Sequence, residues 1–264
     1  MDTCYRHPDR ETGLRCSNCE RPICPDCSID ATVGQRCPEC HRSIGTTRSR
    51  NLKTLSPADG AVVTKALIAI AVAVYVAGRF VPESNRWLAE LVQDNRLVTD
   101  GQWWRIFGAA LLHAGTLHLG FNMYALYLFG PAIERRYGPG PFLALYAAAA
   151  ASGGAVAYHL GGPNDRLVGA SGAIFGIFGV WLYLSAKHRD TRQGRAMYNQ
   201  MLFLLALNAA IPLLVREISW QGHLGGLLAG LLLGWAYEKV QTDQTVRRLA
   251  VAAALTLAAV LSVW

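Results

Sequence analysis

The chain has 264 residues, of which 52% are hydrophobic and 16% charged, against about 25% charged in an ordinary soluble domain, so disorder is excluded and a purely soluble fold is disfavoured. The formal charge of +7 fits the basic loops of a membrane protein better than a nucleic-acid footprint, and no nucleic-acid partner is expected. Residues 1–60 hold 17 of the Asp, Glu, Lys and Arg residues and the remaining 204 hold 26, which divides the chain into two unlike parts.

No apolar run of signal-peptide length opens the chain, so its amino terminus is expected to stay in the cytosol. All seven cysteines lie before residue 41 and, with one histidine, form four pairs: Cys4 and His7, Cys16 and Cys19, Cys24 and Cys27, Cys37 and Cys40. A two-residue gap lets both side chains of a pair turn toward one ion, so eight ligands suit two tetrahedral zinc sites. Leu14, Ile23, Ile29 and Val33 are nearly all the large aliphatic residues available, so metal must supply much of the folding energy. A disulfide framework is disfavoured by the odd cysteine count and the cytosolic position. The order and spacing resemble a B-box zinc finger more than a RING domain; that resemblance implies that the first and third pairs hold one ion and the second and fourth the other. His41 could substitute as a ligand. Eight ligands leave no open coordination position, so residues 1–41 are expected to be a structural zinc module that docks a cytosolic protein partner. Residues 42–60, with Arg42, Arg48, Arg50 and Lys53, read as a basic linker.

From residue 61 the sequence is an all-α polytopic membrane protein. Apolar stretches near the roughly 20 residues needed to cross a bilayer fall at 62–81, 117–136, 141–161, 170–186, 197–215, 222–240 and 247–264. Residues 61–240 would form a six-helix core and 241–264 a seventh transmembrane helix. Lys and Arg concentrate before the first span and after the second, fourth and sixth, which places the amino terminus inside. The loop 82–116 would then lie outside, with Trp87, Trp103 and Trp104 suited to the interface.

In this orientation spans two, four and six run inward, and their first turns share one depth. Those turns carry His118 and Asn122, Ser171, and His223. Polar side chains converging inside a membrane point to a functional site. Ser171 is a nucleophile if His223 accepts its proton. No carboxylate lies at that depth, so a dyad is expected, with no catalytic cofactor. His118 and Asn122 share a helical face and, with the Ser171 amide, can donate to an oxyanion. Glycines at 172 and 176, and at 222, 226, 230 and 234, permit the two helices to approach closely.

Residues 100–240 resemble a rhomboid intramembrane serine protease. The resemblance rests on Trp104–Arg105 in the first loop; His113, His118 and Asn122; Glu134 and Arg136; Gly169–Gly172; and His223 followed by Gly226 and Gly230. It implies catalysis by Ser171 and His223, an oxyanion hole of His118, Asn122 and the Ser171 amide, and supporting roles for Trp104, Arg105, Gly169 and Phe175. It also implies substrates that are membrane proteins, cut in or near their transmembrane helices, and a cell-membrane location with the active site toward the outer half of the bilayer. Two residues depart from the family pattern. Gly222 replaces an alanine, and Phe175 keeps the stacking of a tyrosine without its hydroxyl. The alternative is a non-proteolytic rhomboid-like adaptor that binds client transmembrane helices. A zinc protease lacks its HExxH motif here, an aspartyl protease its intramembrane aspartates, and a transporter its inverted repeats.

Overall fold

The computed structural model describes residues 2–31, 34–42, 60–214, 218–240 and 244–264, of which 212–214 by backbone alone. Most of the expected linker, residues 43–59, lies outside the described residues. The chain separates into two compact units, Met1–Ser56 and Pro57–Trp264.

The first unit is built from two short antiparallel ladders. β1 (Asp2–Cys4) pairs with β2 (His7–Thr12), with Cys4 opposite His7, and β3 (Ile29–Asp30) pairs with β4 (Gln35–Arg36). Its interior is largely sulfur: Cys4, Cys16, Cys24, Cys27 and Cys37 are buried around Ile23, while Leu14 is exposed. Such a core buries too little apolar surface to hold a chain of this length together unaided.

The second unit is a helical bundle. Its long helices are α1 (Val62–Phe80), α5 (Thr116–Tyr137), α6 (Pro139–Leu160), α7 (Ser171–Lys187), α8 (Arg192–Leu214), α9 (Trp220–Lys239) and α10 (Thr245–Val263). These coincide within a few residues with the seven expected spans. By length and composition, α1, α6 and α10 are apolar enough to cross a membrane, and α7 is apolar but shorter. The other three dilute their apolar content with polar groups such as Asn122 and Glu134 on α5, Asn199 and Asn208 on α8, and His223 and Glu238 on α9.

Between α1 and α5 the chain does not run as a plain loop. It forms α2 (Ser84–Ala89), β5 (Gln93–Asp94), α3 (Asn95–Thr99), α4 (Arg105–Gly108) and a 3-10 turn at Ala109–Leu111. Arg105 organises this excursion from a buried position. Its guanidinium donates to the carbonyls of Ala89 and Val92 at 2.8 Å each and pairs with Glu90 at 2.8 Å. Trp87, Trp103 and Trp104 remain partly exposed on the same excursion.

α6 is the axis of the bundle. Ala148, Ala149, Ala151, Gly153, Gly154 and Ala157 are buried along it, and small side chains let neighbouring backbones come close. At the end of the bundle away from Ser171, charges tie the helices together. Glu134 is buried and accepts from the Val63 and Thr64 amides at 2.8 Å and from Thr64 Oγ1 at 2.7 Å, capping the amino terminus of α1. Hydrogen bonds to a charged group are worth roughly 1.5–3 kcal/mol each. Glu238 accepts from Arg136 at 2.7 Å, Lys187 at 3.0 Å and Tyr137 at 3.1 Å, joining α5, α7 and α9.

Candidate active site and metal clusters

In the first unit the four pairs sort into two clusters, Cys4, His7, Cys24 and Cys27, and Cys16, Cys19, Cys37 and Cys40. Within each, all ligand atoms lie within 4.8 Å of one another, so each could hold a metal ion. His7 Nδ1 is 3.3 Å from Cys24 Sγ and 3.4 Å from Cys27 Sγ, and Cys19 Sγ is 3.9 Å from Cys37 Sγ. Outer donors already face the sulfurs: the Cys37 amide points at Cys16 Sγ (3.3 Å) and Asn18 Nδ2 at Cys40 Sγ (3.4 Å). Burial, with the thiols of Cys4 and Cys24 nearby, pushes Cys27 up to about 11. Three thiols and an imidazole crowded in this way in the first cluster, and four thiols in the second, require a cation before all the sulfurs can ionise. His41 belongs to neither cluster.

In the second unit Ser171 is the first residue of α7, and amides in the first turn of a helix have no intrahelical acceptor, so the Ser171 N–H is free to serve a ligand. Gly169 makes this approach possible. Its φ of +135° disfavours L side chains, and a Cβ there would lie 2.7 Å from His118 Cε1 and 2.8 Å from His118 Nε2. The same point is 3.7 Å from Ser171 Oγ, so the His118 ring and the serine hydroxyl flank one glycine.

His223 lies in the first turn of α9, whose amino terminus is capped by Ser219 Oγ accepting from the Gly222 amide at 3.1 Å. Its ring stacks on Phe175 with centroids 4.0 Å apart and planes 10° from parallel. Phe175 is one turn beyond Ser171 on the same helical face. Close backbone packing brings the two helices together: a Cβ on Gly226 would overlap the Gly172 carbonyl, and one on Gly230 the Gly176 carbonyl. Ser171 and His223 are not hydrogen-bonded to each other among the described residues; such bonds often tighten only when substrate arrives.

On α5, Asn122 is buried and donates one amide hydrogen to the His118 carbonyl at 2.8 Å, leaving the second free by its chemistry. The His113 ring meets the His118 ring edge-on at 5.2 Å, and both His113 nitrogens are buried with no hydrogen-bond partner among the described residues. A cavity of about 340 Å³ opens there, lined by Tyr75, Arg79, Asn85, His113 and Val168 among others. His159 and His188, which carry no catalytic expectation, sit apart. His159 pairs with Ser262 at 3.3 Å, and His188 follows the last turn of α7 in an exposed loop.

Sequence reasoning missed the groups that steady the loop before Ser171. The Gly169 amide donates to the Ala109 carbonyl at 2.8 Å. β6 (Arg166–Leu167) pairs with β5, and Arg166 Nε donates to the buried Asp94 at 2.8 Å. Arg166 beside it holds the Asp94 carboxyl below its ordinary range. No local signal in the sequence joins residues 72 positions apart.

A family model described as "Rhomboid domain" matches residues 100–239. Among curated proteins, the rhomboid protease GluP of Bacillus subtilis (strain 168) is 38% identical over 138 residues, 52% of this chain and 27% of its own length. The putative rhomboid protease YdcA of the same organism is 38% identical over 150 residues, covering 56% and 74%. The rhomboid protease GlpG of Haemophilus influenzae is 30% identical over 145 residues, covering 54% and 74%. The match therefore spans about a quarter of the first relative and about three quarters of the other two.

Proposed function

The chain belongs to the rhomboid family, a membrane-embedded family, and we propose that it is an intramembrane serine endopeptidase that cuts membrane proteins in or near their transmembrane helices. The observation that carries this reading is the meeting of three helix starts: Ser171 with a free amide, His118 across Gly169 from its hydroxyl, and His223 stacked one turn away on Phe175.

In this reading Ser171 Oγ attacks the scissile carbonyl carbon while a His223 ring nitrogen takes the hydroxyl proton. The carbonyl oxygen becomes an oxyanion, met by the Ser171 amide, the His118 ring and the Asn122 amide hydrogen. Collapse of the tetrahedral species breaks the C–N bond, and His223 returns the proton to the departing amine. Water then attacks the acyl-serine with His223 again as base, releasing the carboxylic acid and restoring the hydroxyl. The cavity beside His113 supplies that water, since it is roomy and offers polar partners. A substrate helix must unwind before its carbonyl can enter, which favours helix-weak residues near the cut.

The Lys and Arg distribution supports a cytoplasmic amino terminus and an active site in the outer half of the bilayer. The two Cys/His clusters fit zinc. Bonds of about 2.3 Å to sulfur and 2.0 Å to nitrogen in a tetrahedral site place ligand atoms roughly 3.5–3.8 Å apart, near the spacings found. Zinc bound there fixes the fold of a module that docks a cytosolic protein.

A fluorophosphonate probe tests the enzyme reading. It should label the wild-type chain at Ser171 and leave Ser171→Ala unlabelled. Equal cleavage of a transmembrane substrate by Ser171→Ala, with contaminating proteases excluded, would remove Ser171 as the nucleophile, and a wild-type chain that neither labels nor cleaves would leave the adaptor reading in its place.

A further inference from the structure

Ser171 is delivered by the segment between α6 and α7, and that segment is strapped to the excursion between α1 and α5. Gln93 pairs with Leu167 and Asp94 with Arg166. The Asn95 amide donates to the Asp165 carbonyl at 3.1 Å, and Asn95 Nδ2 to the Gly162 carbonyl at 2.9 Å. Beyond these, the Gly169 amide is held by the Ala109 carbonyl, two residues before the nucleophile. Whatever fixes the excursion therefore fixes Gly169.

The excursion is seated on α6. Ile106 is fully buried, and a Cβ on Gly154 would lie 2.7 Å from the Ile106 Cβ. Gln93 Nε2 donates to the Gly154 carbonyl at 2.9 Å, and Thr99 meets the Tyr158 hydroxyl at 3.1 Å. The far wall of this seat is the last two turns of α10. Ala259 and Val263 are buried in one apolar cluster with Val98, Ile106, Ala151 and Ala155. Ser262 pairs there with His159 at the end of α6.

The α10 residues that face inward recur every three to four positions or multiples of that, at Arg248, Ala252, Ala259 and Val263, as one face of a docked helix requires. Leu257 and Leu261 point away, with 57% and 59% of their surface exposed. At its other end α10 is anchored by Arg248, which donates to the Val240 carbonyl at 3.1 Å and lies over the Tyr137 ring. Both ends of the helix are thus fixed, and its carboxyl-terminal end shares one buried cluster with α6 and the excursion.

We propose that the seventh helix is a positioning element for the nucleophile: Ala259 and Val263 brace Val98 and Ile106, and through them the Ala109 carbonyl that sets Gly169 and the Ser171 amide. The proposal rests on the reading of Ser171 as the nucleophile. None of the α10 residues touches the reacting atoms, so their effect must appear in the chemical step with substrate binding left as it was. A group displaced by about 1 Å can cost up to a hundredfold in rate, and the link runs through a chain of close-packed contacts that transmit such shifts.

The test uses the full chain with Ala259→Leu, which overfills the seat, Val263→Ser, which loosens it without adding volume, and Leu257→Ala as a lipid-facing control. For each, kcat and KM on a transmembrane substrate and the rate of fluorophosphonate labelling are measured on the folded fraction, which thermal unfolding defines. The expected result is a fall of about tenfold to a hundredfold in both kcat and labelling rate for the two seat variants, with KM and the control within about twofold of wild type. If Ala259→Leu fails to fold, Val263→Ser carries the same reading. A lowered unfolding midpoint with wild-type labelling by the folded protein would make α10 a scaffold alone and overturn the proposal. A change confined to KM would overturn it as well. Failure of the wild-type chain to label at all would instead remove the enzyme reading on which the proposal stands.

Discussion

The closest contact between the helices that carry Ser171 and His223 is made of backbone, so adding one carbon there is a severe perturbation. A Cβ on Gly226 would overlap the Gly172 carbonyl oxygen, next to Ser171 in the chain and three residues from His223 on the facing helix. Ordinary carbon–oxygen contacts sit at about 3.3–3.6 Å, so in Gly226→Ala the helices must part by roughly 1.5 Å, with backbone on one side that cannot turn aside. Overpacking of this kind costs about 1–3 kcal/mol, and a 1 Å displacement of the base from the nucleophile costs up to about a hundredfold in rate. Gly120→Ala is the comparison, because a Cβ there has nothing within 4 Å and replacing a helical glycine stabilises by roughly 0.4–1 kcal/mol. Turnover of a transmembrane substrate and the thermal midpoint in detergent should both drop in Gly226→Ala and hold or rise in Gly120→Ala. Activity of Gly226→Ala within about twofold of wild type, with its midpoint unmoved, would refute the claim that the α7–α9 approach sets the dyad.

His223→Ala should abolish turnover in the same assay, whereas His118→Ala or Asn122→Ala should each leave activity reduced about a hundredfold to a thousandfold, the usual loss for one oxyanion donor. Elemental analysis of the purified full chain should find two zinc ions, and deleting residues 1–55 should leave turnover largely intact, because every contact described around Ser171 comes from the second unit. Single cysteines at Ser49 and Ser219, in a chain with its native thiols accounted for, should react oppositely with an impermeant maleimide in intact cells; matched labelling would break the orientation reading. Asp94 is held below its ordinary range by Arg166. Its contribution to stability is therefore present above the unfolded carboxyl value of about 3.9 and is lost as pH falls through the lower folded value. Asp94→Asn should lower the thermal midpoint at neutral pH and flatten its acid decline, and an unchanged acid limb would remove the Asp94–Arg166 pair from the account.

What could be read from the sequence was local. The paired cysteines are separated by two residues, and the structure gathers them into two clusters. Spans near twenty residues declare themselves by length, and the seven long helices lie where they were expected. Ser171, His118, Asn122 and His223 stood out because polar groups are costly inside apolar segments, and all lie at the same end of the bundle. The rest depends on partners distant in the chain. Glu134 was visible in a motif, but its role as a cap for α1 needs amides some 70 positions away. α2, α3 and α4 have six, five and four residues, too short for a helical period to register. Their positions are set by Arg105 and by the seat on α6, which no spacing reveals.

In the proposed dyad of Ser171 and His223, the lack of a carboxylate bears on how the base is held. In a triad the acid fixes the imidazole's orientation and tautomer and stabilises the imidazolium. Here no side-chain hydrogen bond to His223 exists among the described residues, and the ring is oriented by a face-to-face stack on Phe175 and by a helix start that Ser219 caps. A stack fixes the plane of the ring but leaves it free to turn within that plane, so the plane alone selects no tautomer. The loss must be offset where the charge develops. The Ser171 amide opens α7, where the helix macrodipole is positive, and His118 and Asn122 stand on the first turns of α5. With negative charge favoured on the oxygen before any proton moves, the base needs less help. It follows that removing the stack with Phe175→Ala should impair turnover less than His223→Ala and more than a lipid-facing change such as Leu257→Ala. Equal loss in Phe175→Ala and His223→Ala, in protein shown to be folded, would mean that the ring has no other support than its stack.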